Sequence, residues 1–314
     1  MIGIEDVKAA AARIKDHVRR TPVIATTGLM TEIAPDIALT LKLELLQVTG
    51  SFKARGATNR LLTTPKETLA RGLVAASGGN HGLATARAGY MAGVHTTIFL
   101  PITVTPAKVA KLKLWGAETI IVGKHWGEAN AAALERVEQT GAAYFHPFAD
   151  PYVVAGQGTV ALEILEQVPD VDTILVAMGG GGLISGVGTA IKALAPKVRV
   201  VGIEAAGSPV LLRSLQAGRN VALDAVTTIV ATMACAQTTD AIFETVRDTV
   251  DEIVLVEDDE MRAAAQWLWF EMGLAADLSG AAAIAAVQQR RVAIAPGEKV
   301  CAIICGAGPD GISA

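Results

Sequence analysis

A lysine stands inside "GSFKARGATNR" (residues 50–60), with a phenylalanine before it and glycine close on both sides. Most lysines are surface residues on solvated stems. The alternative for Lys53 is an amine held for chemistry. Three further segments bear on which it is. Each lies where a strand should end, and in open α/β sheets ligands bind beyond the C-terminal ends of strands.

The first is "SGGNHG" (77–82), between a predicted strand and a predicted helix. Backbone N–H groups at a helix start favour an anion such as a carboxylate, and Ser77, Gly78, Gly79, Asn80 and His81 supply the loop. A capped turn, with Asn80 starting the helix and Ser77 closing the turn, is the plainer reading. The second is "MGGGGLISG" (178–186). Four successive glycines cost conformational entropy, so a purely structural role accounts for them poorly. Gly179, Gly180, Gly181 and Gly182 form a cup of N–H donors at a helix start, which is a phosphate site. A dinucleotide site with Glu204 on a ribose is the rival, but Ile184 or Ser185 stands where a third glycine belongs, and no Walker lysine follows. A monophosphate of a small cofactor fits better. The third is "IICGAGPDG" (303–311), with Cys305 expected as the last strand residue. A buried small hydrophobe is the ordinary reading of such a cysteine.

No H-E-x-x-H, no G-x-S-x-G and no acid–histidine cluster at metal-ligand spacing occurs, so no metal is expected. His17, His95, His125 and His146 read as structural or surface residues. The tryptophans of "QWLWFEMG" read as core.

The elements that must position these loops alternate along the chain. Val7, Ala11, Ile14 and Val18 mark one face of an opening helix, and "LTLKLE" (39–44) alternates as a strand. Strands at "GLVAAS", "VHTTIFLP", "ETIIVG" and "AAYFHP" alternate with helices from "NHGLATARAGYMAG", from Thr105–Pro106 and over roughly 127–140. The second half repeats the pattern. "VVAGQGTVALEILEQV", "GLISGVGTAIKALAP", "DDEMRAAAQWLWFEMG" and residues 278–290 read as helices, and "DTILVAM", "VRVVGIE", "DEIVLVE" and "EKVCAIICG" as strands. Such alternation predicts an α/β fold of parallel sheets covered on both faces. Pro65 and Pro147 flank a self-contained block. The expectation is a small domain over 66–146 and a large one over 1–65 and 147–314.

With 314 residues, 51% hydrophobic and 18% charged, the chain is long enough for two packed domains and too apolar for disorder. Its mean hydropathy of +0.42 owes much to alanine, and no apolar run is long enough to span a bilayer. A net charge of −4 leaves no footprint for nucleic acid. Three cysteines cannot build a disulfide scaffold, and the N-terminus lacks a signal-peptide core, so a cytoplasmic protein is expected.

A lysine in a glycine-rich segment, a phosphate cup and an anion loop together describe a site for pyridoxal 5′-phosphate. The chain resembles the fold type II pyridoxal-phosphate enzymes, specifically the serine/threonine dehydratase and serine racemase group. "TGSFKARGA" resembles that group's Schiff-base lysine motif, "SGGNHG" its substrate-carboxylate loop and "GGGGLISG" its phosphate loop. "AGQGTVALEILEQ" (155–167) resembles the segment before the phosphate strand. The resemblance implies two doubly wound sheets of the tryptophan synthase β type, with the cofactor between a large and a small domain. It also implies a homodimer acting on an amino acid.

Carried over by position, Lys53 would bind the cofactor and take the Cα proton. Phe52 would pack on the ring, Gly179–Gly182 would hold the phosphate, Asn80 would reach the phenolic oxygen and Cys305 would face the ring nitrogen. Ser77, Gly78, Gly79, Asn80 and His81 would surround the substrate carboxylate. The implied activity is conversion of threonine, serine or a related β-hydroxy amino acid to a 2-oxo acid and ammonia. A thiol opposite the ring nitrogen does not favour its protonation, which favours prompt elimination over transamination. Racemase members carry a second serine where this chain has Gly78, so racemisation is expected to be poor; a nicotinamide-dependent oxidoreductase is a remoter alternative.

Other departures blur the substrate. "EAAGSPVLL" lacks the acidic residues of a racemase-like cation site after Glu204. The family's "EPSGA" reads "DLSGA", with Asp277, and "TIVATMACA" (228–236) replaces a glycine-containing stretch beside the ring. The chain given ends at Ala314, so no C-terminal regulatory domain is expected.

Overall fold

The computed structural model describes residues 2–34 and 36–312. α1 (Ile4–Ile14) is followed by β1 (Val23–Ala25), β2 (Ala38–Lys42), α2 (Lys53–Thr63) and the single turn α3 (Lys66–Leu69). The middle of the chain runs β3 (Leu73–Ala76), α4 (Asn80–Ala92), β4 (Thr96–Leu100), α5 (Pro106–Leu114), β5 (Glu118–Ile121), α6 (Trp126–Thr140) and β6 (Ala143–Tyr144). Then come α7 (Pro151–Gln167), β7 (Thr173–Ala177), α8 (Gly182–Leu194), β8 (Arg199–Ala205), α9 (Val210–Ala217) and α10 (Asp240–Thr249). β9 (Glu252–Val256), α11 (Asp258–Met272), α12 (Leu278–Gln288) and β10 (Lys299–Ile303) complete it.

The strands form two sheets, one of six strands in the order β1-β2-β10-β7-β8-β9 and one of four in the order β5-β4-β3-β6. All pairings are parallel except β1 with β2. Covered on both faces, β3 ("LVAA") and β7 ("TILVA") are buried at every position, as parallel strands between helix layers must be. The α/β class is therefore as the alternation implied, and the two doubly wound sheets are as the resemblance implied. Among the described residues no helix is long and apolar enough to cross a membrane.

α2 joins the two halves. Its Ala54, Ala57 and Leu61 lie in the same core as Leu73, Ile98 and Phe145 of the four-stranded sheet. Its other side meets α7 so closely that main chain touches main chain. A methyl group at Gly156 would lie 2.6 Å from Cα of Gly56, and one at Gly56 would lie 2.7 Å from the Val153 carbonyl oxygen. On its far side α7 meets α8 in the same way, where a methyl at Gly158 would fall 2.7 Å from the Gly186 carbonyl oxygen.

Several local expectations need correction. α1 stops at Ile14 and buries Val7, Ala10 and Ile14, so Val18 lies outside it. β2 ends at Lys42, and Glu44 opens a short 3-10 turn instead of continuing the strand. Thr105 does sit at the start of α5 ahead of Pro106, yet its hydroxyl makes no capping bond. Trp267 is buried, its indole N–H bound to the Thr31 carbonyl, but Trp269 is 40% exposed on the outer face of α11. Cys305 is not a strand residue. It lies two positions beyond β10, in the loop where Ser51 bridges to Gly306.

Candidate active site

Lys53 opens α2 at the end of a loop tied to the last strand, the Phe52 amide donating to the Cys305 carbonyl at 3.2 Å. Its Nζ donates to the Pro147 carbonyl at 2.7 Å and stands 5.1 Å from the centre of the Phe52 ring. Burial pulls the amine down to about 8, opposed only by the thiols of Cys305 and Cys235. Those thiols are themselves pushed up by burial, Cys235 to about 11. Lys53 is thus an amine with no carboxylate to hold its proton, the state a nucleophile needs.

The four glycines follow β7 directly, Gly181 adopting a φ of +91° just before α8 begins. Among the described residues no protein acceptor takes the amide hydrogens of Gly179, Gly180, Gly181, Gly182 or Leu183. Thr238 Oγ1 occupies the Gly180 carbonyl at 2.9 Å. Neighbours press in from behind: a methyl at Gly180 would meet the Phe148 ring at 2.3 Å, and one at Gly179 would meet the Thr232 carbonyl at 3.0 Å. The glycines therefore serve both close packing and an open set of N–H donors at a helix start, where negative charge is favoured.

The loop at 77–81 sits beside this cup, since the Thr232 methyl approaches Gly79 as well. Ser77 Oγ accepts from the Gly79 amide at 3.3 Å, closing the turn as the sequence suggested. Asn80 does not cap. Gly79 is the N-cap of α4, and the Asn80 side chain donates to Asp277 Oδ2 at 3.0 Å. His81 is buried, with Nε2 on the Phe145 carbonyl at 2.8 Å, and burial lowers it to about 3. Its imidazole is neutral, with Nε2 donating to that carbonyl and Nδ1 buried without a hydrogen-bond partner among the described residues. Space beside Gly78 is filled by Val104 and Leu100, 3.2 and 3.3 Å from where a methyl would stand.

Cys305 is buried, and its Sγ donates to Ser279 Oγ at 3.8 Å. Burial, with the nearby Asp277 carboxylate adding to it, raises the thiol far above its ordinary range. Glu204 is not free to hold a ribose, because its two carboxylate oxygens accept the Leu211 and Leu212 amides at 2.9 Å. Burial raises Glu204 to about 7.

Sequence reasoning passed over three contributors. The Pro147 carbonyl anchors Lys53, and Phe148 walls the glycine cup. His146 lies close enough to Lys53 to feel its charge, and burial lowers it to about 4. His146 Nδ1 accepts the Phe148 and Ala149 amides at 3.2 and 2.9 Å, so Nε2 carries the proton. "HPF" after a strand was the available signal, hidden because a lone histidine is usually structural.

An uncompensated amine, unclaimed amide donors and a neutral thiol on one cleft suit an aldehyde, a phosphate and a pyridine nitrogen. Comparison with known proteins agrees. The model of the "pyridoxal-phosphate dependent enzyme" family matches residues 14–306, and the chain belongs to that family. It is 40% identical over 300 residues to an L-threonine ammonia-lyase of Geobacter sulfurreducens, covering 96% of this chain and 74% of that one. It is 36% identical to a phenylserine dehydratase of Ralstonia pickettii, covering 98% and 94%. Among solved structures, maize serine racemase superposes with a TM-score of 0.91 at 34% identity, covering 97% of this chain and 93% of that one. The protein is a pyridoxal 5′-phosphate enzyme of fold type II.

Proposed function

We propose that this protein is a dehydratase that converts L-threonine, L-serine or a related β-hydroxy amino acid to a 2-oxo acid and ammonia. The observation that carries the reading is Lys53: a buried amine without a counter-ion in the same cleft as the unclaimed amides of Gly179–Gly182. Similarity over nearly the whole chain to an L-threonine ammonia-lyase and a phenylserine dehydratase supports the substrate class.

In this reading the cofactor, when bound, supplies an electron sink that makes the Cα–H of an attached amino acid acidic. The chain's own residues do the rest. Gly179–Gly182 would hold the phosphate with main-chain N–H groups, Phe52 would pack on the ring, Asn80 would donate to the phenolic oxygen and Cys305 would meet the ring nitrogen. Ser77, Gly78 and Gly79, with the amides of Asn80 and His81, hold the substrate carboxylate. Lys53 would bind the cofactor and, as a neutral amine, would take the Cα proton; its depressed pKa keeps that form accessible near neutral pH.

Serine racemase relatives favour a second reading, racemisation on the same scaffold. Gly78 counts against it, for it carries no proton to return to Cα.

The arrangement we infer is a large domain of 1–65 and 147–314 and a small one of 66–146, bridged by α2. A cytoplasmic homodimer completes it. Buried free Cys301 and Cys305 suit a reducing compartment, and exposed Met30, Trp269 and Phe270 form an apolar face that a second copy would cover.

Borohydride reduction of protein loaded with pyridoxal phosphate, followed by peptide mass analysis, should place the adduct on Lys53. A 2-oxo acid assay over β-hydroxy amino acids should then release product much faster than D-serine forms from L-serine. An adduct elsewhere, or racemisation as fast as elimination, would contradict the proposal.

A further inference from the structure

We propose that Asp277 is a positioning residue: one buried carboxylate fixes the hydrogen-bond polarity of both Asn80 and Cys305. This deepens the reading above and rests on it, because those two side chains are the ones assigned to the cofactor ring.

Three segments converge on this carboxylate. Asp277 is the N-cap of α12, its Oδ1 accepting the Gly280 amide at 2.6 Å and the Ser279 hydroxyl at 2.7 Å. Its Oδ2 accepts Asn80 Nδ2 at 3.0 Å, reaching the 77–81 loop. Its main-chain N–H donates to the Gly306 carbonyl at 3.0 Å, the residue after Cys305. The fit admits no side chain at 306, where a methyl would lie 2.5 Å from Asp277 Oδ2 and 2.9 Å from Asn80 Nδ2.

An ionised carboxylate only accepts hydrogen bonds. Facing it, Asn80 must present its amide nitrogen, which sets the side chain's orientation and keeps its second N–H for another acceptor. Ser279 has one hydrogen, and it goes to Oδ1. Toward Cys305 it therefore offers lone pairs only, so the thiol hydrogen, 3.8 Å away across the pair, points back at Ser279. The sulfur then turns lone pairs outward and acts as an acceptor.

Other ionisable groups near Asp277 leave its charge without a cation. Asp310 adds repulsion from the C-terminal turn while capping the Leu278 amide at 3.1 Å, and the Cys305 thiol is neutral. Burial raises the Asp277 carboxyl above its ordinary range; the Ser279, Gly280 and Asn80 donors, all aimed at its oxygens, oppose that rise and favour the ionised form.

Capping alone would be met equally well by asparagine. Asp277→Asn keeps the oxygen that caps Gly280 but turns an amide nitrogen toward Asn80, whose own amide must invert and present oxygen to the phenolic group. The test uses protein loaded with pyridoxal phosphate and reads bound-cofactor absorbance against pH, cofactor affinity by titration, and far-ultraviolet circular dichroism. Asp277→Asn should keep its dichroism, bind the cofactor about 10-fold more weakly and lose the phenolic proton about one pH unit higher. Asp277→Glu, which keeps the charge, should shift less. Should Asp277→Asn fail to fold, Ser279→Ala isolates the Cys305 arm and should also move the absorbance profile. Unchanged profiles and affinities in variants that fold would overturn the inference. A parent protein with no visible band under excess cofactor would overturn the functional reading too, so the two failures are distinguishable.

Discussion

Lys53 and Arg55 leave the first turn of α2 two residues apart and meet opposite surroundings. The Arg55 guanidinium is 1% exposed and fully bonded, to Glu44 at 2.7 and 2.8 Å and to Glu163 at 2.7 and 2.9 Å. Lys42 joins the same network through Glu163 at 2.5 Å and Gln167 at 2.8 Å. Burial opposes the Arg55 charge, but Glu44 and Glu163 outweigh it and hold the proton tighter than in water. Lys53, with one carbonyl and no acid, moves the other way. One cation is structural because two acids keep it charged, and the other is chemical because none does.

The largest expected effect tests the structural half. Arg55→Met leaves Glu44 buried without a cation, takes from Glu163 one of its two, and should destabilise the protein by about 3–5 kcal/mol in denaturant titration. A loss below about 1 kcal/mol would mean that the network is not what anchors α2.

The chemical half carries a pH signature in cofactor-free protein. Lys53 has a folded pKa of about 8 against an ordinary 10.5, so between those values the unfolded chain holds more protons. Stability of the parent should therefore rise with pH across that window, by at most about 3 kcal/mol. Lys53→Met should remove that rise, which denaturation midpoints from pH 7 upward would read. An identical slope in both proteins would break the contrast with Arg55.

Glu204 sharpens it from the acid side, with a smaller effect. Its folded pKa of about 7 lies above the ordinary 4.5, so the folded state holds more protons in between, and stability should fall as pH rises through that window. Glu204→Gln should flatten the fall. Since it also gives up one of two amide hydrogen bonds, the net gain above pH 7 should be about 1–2 kcal/mol.

The strand-end loops are legible in sequence, because a glycine run between an apolar strand and a helix is costly to order unless something must approach its main chain. α2 is not legible as a helix. Its buried positions include Arg55, Thr58 and Asn59, so the thin stripe of Ala54, Ala57 and Leu61 is masked by polar neighbours. The periodicity that betrays most helices reports burial of hydrocarbon, and here burial is carried by polar groups satisfied across the interface. β1, α9 and α10 also escape the pattern, β1 being only three residues long. Glu163, in "LEILEQ", has the look of a solvated helix face. A clue is present: Lys42 falls on the face of β2 opposite Leu39 and Leu41, and a helix layer over that face would bury the end of the strand with its charge. Asp277 stands out in sequence as a departure, but which groups it binds depends on three segments far apart along the chain.

Where α2, α7 and α8 touch at Gly56, Gly156, Gly158 and Gly186, main chain meets main chain, and trimming a neighbouring side chain would not make room. Every added carbon there would wedge two helices apart, and at Gly56 or Gly156 it would disturb the helix that begins with Lys53. A laboratory search for variants accepting bulkier amino acids should leave that spine untouched. Its diversity belongs at Leu100, Val104 and Thr232, side chains that border the reactive loops.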